Sequence, residues 1–220
     1  MPLFPHSRRA QPARAFTPSE SRVSSLDRVI FFSDAVHSIA ITLLTIQITV
    51  PAVSADDLGN ALADNWREYF AYALSFFVIG LYWLTHHRIF DLVVREDRTL
   101  LRLNLLLLGC VAFIPFPTAV LGRYGDQSAA VTAYAATLAA TGFTWAALWW
   151  WMSSGRRLID ERLRDGQVRA LQGDLLLTPL IFAASIPVAQ WNASAAEFLW
   201  IAIIPAGAVS GRFFARAGEA

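Results

Sequence analysis

Charge is scarce in this sequence: Asp, Glu, Lys and Arg make up 16% of the 220 residues, against 55% hydrophobic residues and a mean hydropathy of +0.44. A chain of this length with so little polar surface is excluded as an ordinary water-soluble domain. Cysteine is nearly absent. The single Cys110 falls inside an apolar run, so there is no intrachain disulfide, and the residue reads as a small buried apolar side chain. Also missing are a phosphate-cradling glycine loop, a nucleophile elbow and a spaced set of histidines, which leaves nothing to nominate the chain as an enzyme. No internal repeat is visible, which weakens a model of inverted-repeat transport. A net charge of +1 gives no signature of a nucleic-acid partner.

What the chain does have is apolar runs of about 18 residues or more, enough for a helix to cross a hydrocarbon core of about 30 Å. Runs such as Leu103 to Val111 do not alternate apolar and polar residues, so a transmembrane barrel is set aside. The expected fold is an all-α integral membrane protein with six transmembrane helices per subunit. The spans are expected from near Val29 to Val50, Trp66 to His86, Leu100 to Leu121, Ala129 to Met152, Leu171 to Gln190 and Ala195 to Phe214. A loop of about four residues makes the last two an antiparallel hairpin. Residues 1–24, rich in proline and arginine, read as a disordered cytoplasmic tail, not a cleavable signal; 25–216 form the membrane domain, and 217–220 a short cytoplasmic C-terminus.

Arginines set the expected orientation. Arg8, Arg9, Arg14, Arg22 and Arg28 precede the first span; Arg88, Arg95, Arg98 and Arg102 flank the second connection; Arg156, Arg157, Arg162, Arg164 and Arg169 fill the fourth; Arg212 and Arg216 close the chain. The opposite side holds only Arg67 and Arg123, beside Asp56, Asp57, Asp64 and Asp126. Because cytoplasmic loops carry the positive excess, both termini are expected in the cytoplasm of a bacterial cell, with the chain multi-pass in its inner membrane.

The first span carries unusual polarity. Arg28, Asp34 and His37 are expensive in hydrocarbon and must face protein or water. On a helical wheel Ile39, Leu43, Ile46 and Val50 form one stripe with Thr42 on its edge, and Arg28 and Phe32 extend it; Asp34 lies on another face with Ser38, Ile41 and Thr45. Periodicity alone leaves two readings open for the stripe, ordinary helix packing or a pore wall.

The segment Arg28-x-x-x-Phe32-Ser33-Asp34 followed by Ile39-Ala-Ile-Thr-Leu-Leu44 resembles the signature of the prokaryotic branch of the transmembrane protein 175 family of potassium channels. The resemblance continues through Ile79 to Phe90 and through Leu103-Asn-Leu105 to Phe113-Ile-Pro-Phe-Pro-Thr118. It implies a homotetramer in which four copies of the first helix surround an ion pathway. Residue by residue, it implies an apolar constriction at Ile39, Leu43 and Ile46, a hydroxyl layer favouring potassium at Thr42, and a structural and assembly motif at Arg28, Phe32, Ser33 and Asp34. His86, His87 and Asn104 are expected to support that motif, with one of the histidines and Asn104 meeting the Ser33–Asp34 region. Implied partners are copies of the same chain and the lipid bilayer. No cofactor and no metal site are expected, only permeant potassium ions.

Three departures from the family pattern stand out, His37, Thr45 and Gln47, where apolar or aromatic, valine and glutamate residues are usual. The fragment Gly122-Arg-Tyr-Gly125, expected in a short loop, is not a carbonyl filter because an arginine sits inside it. Adjacent helical histidines diverge by about 100°, so His86 and His87 are read as hydrogen-bonding residues and not as ligands of one metal. Trp66, Trp83, Trp149, Trp150, Trp151 and Trp191 near span ends read as interfacial anchors. The competing functional reading is a proton-coupled secondary transporter using Asp34 and His37.

Overall fold

A computed structural model of the chain describes residues 25–201. The tail over 1–24, most of the sixth expected span and the C-terminus over 217–220 lie outside the described residues. Eight α-helices follow in order: α1 (Ser25–Ile46), α2 (Leu58–Asp64), α3 (Trp66–Phe90), α4 (Arg98–Phe113), α5 (Pro115–Tyr124), α6 (Ser128–Ser153), α7 (Asp165–Trp191) and α8 (Ala193–Ile201). Five stretches are long and apolar enough to cross a membrane: α1, α3, α4 with α5, α6 and α7.

The third expected span is divided, and proline is the reason. Pro115 has no N–H to give the Val111 carbonyl four residues back; the Ile114 N–H takes that carbonyl at 3.1 Å instead, tightening one turn before α5 begins. Pro179 and Pro187 do not interrupt α7. The expected four-residue link between the last two spans is in fact one residue, extended Asn192. Trp200 of α8 then donates its Nε1–H to Ser185 of α7 at 3.0 Å, so the two pack as a hairpin. The Gly122-Arg-Tyr segment is not loop but the last turn of α5. A further correction is α2, a short helix that buries none of its residues.

Helix α6 is the hub. Its buried residues Val131, Tyr134, Leu138, Trp145, Leu148 and Trp149 share one side of the helix, packed against its neighbours, while Ala136, Ala140, Phe143, Ala147 and Trp150 leave the opposite side exposed. Polar staples join it to its neighbours. Ser75 of α3 lies 2.8 Å from the Thr118 hydroxyl of α5 and 3.0 Å from the Tyr134 hydroxyl of α6, all three buried. In a medium without water each such group needs a protein partner. Against α7, Gly142 makes the close approach: a Cβ placed there falls within 2.8 Å of the Pro179 ring. That ring cannot swing aside. Gly142→Ala is therefore expected to destabilise the α6–α7 contact by about 1–3 kcal/mol, the cost of overpacking, read as a lowered melting temperature in detergent by tryptophan fluorescence.

At one end of the bundle the loops after α3 and α6 pair through a single antiparallel bridge, Val93 with Ile159. There Asp97 caps α4 by accepting the Leu100 N–H at 2.7 Å, and it also accepts the Trp151 Nε1–H at 3.1 Å. Trp149 is buried and donates to the Val168 carbonyl at 3.2 Å. The anchoring role therefore fits only part of the tryptophan set: Trp149 and Trp151 are structural donors, whereas Trp66, Trp150 and Trp191 are exposed.

Candidate functional site

Helix α1 presents two unlike faces. Ser33, His37, Ala40 and Leu44, spaced three and four apart, are buried against α3 and α4 or α5. The stripe Ile39, Leu43 and Ile46 is uncovered, Ile39 at 57% and Ile46 at 77% exposure, and Thr42 beside it is exposed. The Thr42 hydroxyl donates to the Ile39 carbonyl at 2.8 Å. With its proton used by the backbone, its oxygen lone pairs are left to face outward.

The buried face holds a directed chain of hydrogen bonds. Asn104 of α4 accepts from His86 Nε2–H of α3 at 3.2 Å and donates to Ser33 Oγ at 3.0 Å; Ser33 in turn donates to the Val29 carbonyl at 2.8 Å. One polar string thus ties α1, α3 and α4 together. These roles require the Nε2–H tautomer of His86. His37 donates its Nδ1–H to the Ser33 carbonyl at 2.8 Å, and its ring lies 5.7 Å from that of His86. His86 also stacks on Phe90 at 4.0 Å and meets the Trp145 ring edge-on.

Helix α1 begins at Ser25, so Asp34 stands in its third turn, where Trp83 of α3 donates Nε1–H to Oδ1 at 2.9 Å. Trp83, read from sequence as an anchor, is thus the partner of Asp34, and only its position one turn before His87 hinted at that. His87 is turned away from Ser33: it is exposed, stacks on Trp83 and lies 3.9 Å from Asp91. Arg28 and Phe32 line a groove of about 460 Å³ between α1 and α4, with Val29, Leu101, Leu105 and Leu108. The structure therefore gathers Ser33, His86 and Asn104 at one point, sets Asp34 with Trp83 beside it, and leaves Arg28, Phe32 and the apolar stripe at the surface.

Truncating Asn104 strands the His86 donor in a dry interior. Asn104→Ala is expected to cost about 1–3 kcal/mol, as for a buried polar group left unsatisfied. Ser33→Ala, which removes one acceptor at the end of the string, is expected to cost less. Both are checked by denaturation of the detergent-solubilised protein in increasing sodium dodecyl sulfate.

The chain is similar to known proteins. The family model described as endosomal/lysosomal potassium channel TMEM175 matches residues 28–115, the region from the first arginine of the motif to the break before α5. A potassium channel of Streptomyces collinus is 40% identical over 167 residues, covering 74% of this chain and 81% of that one. A potassium channel of Chamaesiphon minutus is 37% identical over 154 residues, covering 67% and 76%. The crystal structure of a lysosomal potassium-selective channel TMEM175 homolog from Chamaesiphon minutus superposes with a TM-score of 0.74 at 30% identity, over 84% of this chain and 97% of that one. A chain that carries the motif on its first helix, folds like a solved member and aligns over most of its relatives' length belongs to the TMEM175 family, a family of multi-pass membrane ion channels and not of enzymes.

Proposed function

We propose that this chain is one subunit of a homotetrameric potassium-permeable channel of the bacterial inner membrane, with six spans per subunit, both termini in the cytoplasm and α1 lining the pore. One observation carries the reading: α1 buries Ser33, His37, Ala40 and Leu44 within its own subunit yet leaves Ile39, Leu43 and Ile46 uncovered. An exposed aliphatic stripe on a membrane helix meets either lipid or another protein surface; the threonine on its edge and the chain's family favour one quarter of a narrow axis. The relatives' names, potassium channel in both bacterial cases, support the same reading.

A ring of four Ile39, four Leu43 and four Ile46 side chains offers no ligand to a cation. Such a neck conducts only when it is wide enough to stay wet and closes by dewetting, with no charged gate. The Thr42 ring supplies oxygen between the apolar layers, and oxygens that replace part of a hydration shell favour potassium, which gives up water more readily than sodium. Selectivity is expected to be modest because the carbonyl filter of conventional potassium channels is lacking. The Ser33–Asn104–His86 string and the Asp34–Trp83 pair hold α1 rigidly from behind, while Arg28 and Phe32 flank the groove in which a neighbouring subunit seats. No cofactor is needed, potassium is the permeant ion, and the partners are three further copies and the bilayer.

The proton-coupled carrier is the weaker reading. Asp34 and His37 are each engaged by structural partners, Trp83 and the Ser33 carbonyl. Purified protein in liposomes separates the two: the channel gives potassium current reversing at the Nernst potential, and saturable, substrate-dependent flux without such current would reject it.

A further inference from the structure

We infer that Glu68, with Asn65 and Arg123, is a positioning clamp that fixes the C-terminal end of α1 and thereby sets the width of the conduction path at Ile46. The inference rests on the reading of α1 as the pore-lining helix. Three contacts converge on one residue, Thr49, three positions beyond the end of α1. Its backbone N–H donates to Glu68 Oε2 at 2.6 Å, and its carbonyl accepts from Asn65 Nδ2 at 3.1 Å. Its hydroxyl accepts from Arg123 Nη2 at 3.3 Å. Asn65 also donates to Glu68 Oε2 at 3.3 Å, and Arg123 Nε stands 3.9 Å from Glu68 Oε1.

The carboxylate is well placed for this task. Its side chain is only 11% exposed, so its charge acts in a medium that screens it poorly. A built Cβ on Gly122 comes within 3.1 Å of the Glu68 Cα and 3.2 Å of its Cγ. Only glycine lets α5 come so close, and the next residue, Arg123, is thereby delivered to both Glu68 and Thr49. After Ile46 the chain stays tied to α1 only by two three-residue hydrogen bonds, from Gln47 to the Leu44 carbonyl and from Ile48 to the Thr45 carbonyl, each at 3.2 Å, and the next residue held is Thr49. Ile46 is 77% exposed and has little support from its own subunit. The pinned Thr49, three residues on, therefore restrains the end of the helix that carries it.

The clamp discriminates between two substitutions of one residue. Glu68→Gln keeps a side-chain oxygen for the Thr49 N–H and loses only the charge facing Arg123; Glu68→Ala loses both. The test uses the full chain in liposomes with Cys110→Ser and a nitroxide on Val50→Cys, beside potassium flux and the potassium-to-sodium permeability ratio. Glu68→Ala is expected to make the label markedly more mobile, to raise potassium flux by about threefold or more as Ile46 withdraws from the axis, and to lower the permeability ratio. Glu68→Gln is expected to stay close to the parent in all three. If Glu68→Ala does not assemble, Asn65→Ala, which removes the donor to the Thr49 carbonyl, is expected to move the readouts in the same direction by less. Unchanged label mobility overturns the clamp, and a loosened label with parental flux overturns its coupling to the pore. Ile39→Asn measured in parallel keeps the two ideas apart: unchanged flux there is a failure of the pore reading, and label mobility alone then decides whether the clamp exists.

Discussion

Ile39→Asn is expected to raise potassium flux at least about tenfold, which requires only about 1.4 kcal/mol off the permeation barrier. The argument starts from wetting. In the proposed tetramer, four isoleucines around a narrow axis offer water no hydrogen bonds, so the neck would empty and an ion would have to shed its shell to pass. An asparagine at the same position has a similar reach but brings a carbonyl oxygen and an amide to each quarter of the ring. Water then stays, and the barrier falls. Ile39 is exposed and lies off the buried face, so the substitution disturbs neither the Ser33 string nor the packing of Ala40 and Leu44. Flux assays on purified protein in liposomes, normalised to the amount reconstituted, check it; a well-assembled variant with parental flux contradicts the assignment of this stripe to the pore.

Thr42→Ala has the second large effect, on selectivity. It is expected to lower the potassium-to-sodium permeability ratio by about threefold, equal to about 0.65 kcal/mol of differential barrier. The direction follows from the hydroxyl geometry. Because the proton is donated to the Ile39 carbonyl at 2.8 Å, the oxygen is oriented with its lone pairs away from the helix, where a partly dehydrated cation can use them. Alanine removes that oxygen and leaves an apolar ring at which the two ions differ less. Serine keeps it, so Thr42→Ser is expected to retain most of the ratio. Reversal potentials in mixed potassium and sodium solutions are the readout, and an unaltered potential in Thr42→Ala rejects the role.

Much of the fold was legible because membrane spans announce themselves by length and apolarity, and these depend on composition more than on tertiary contact. What sequence reading misplaced has local causes. The apolar Ile48 and Val50, before Pro51, place the expected end of α1 at Val50; the helix stops at Ile46, and Thr49 beyond it meets Glu68, Asn65 and Arg123, residues 16 to 74 positions away, which no local pattern reveals. Helix α2 is hard to read because it has only 7 residues: Leu58, Ala61 and Leu62 share one face, but two turns are too few to establish a period, and none of them is buried. The third span looked continuous, since a proline in an apolar run does not say how its orphaned carbonyl will be satisfied.

At the site, the part tied to helical spacing was readable. The wheel separated the Ile39–Leu43–Ile46 stripe from Asp34, and the two do lie on different faces, one exposed and the other turned to Trp83. The meeting of Ser33, Asn104 and one histidine also follows the expectation, with His86 as the member that turns inward and His87 the one that turns out. Trp83 was missed because an indole near a span end looks the same in sequence whether its N–H meets water or a carboxylate.

The most direct test places a thiol on the uncovered stripe. Full-length Ile46→Cys in a Cys110→Ala background, recorded in planar bilayers, brings four thiols to one ring if α1 lines the axis. Micromolar cadmium is then expected to block the potassium current, with washout by a chelator restoring it, while the Cys110→Ala parent is unaffected. Current that persists under cadmium, with Ile46→Cys reacting only with lipid-soluble thiol reagents, would mean that this face of α1 meets lipid and not ions.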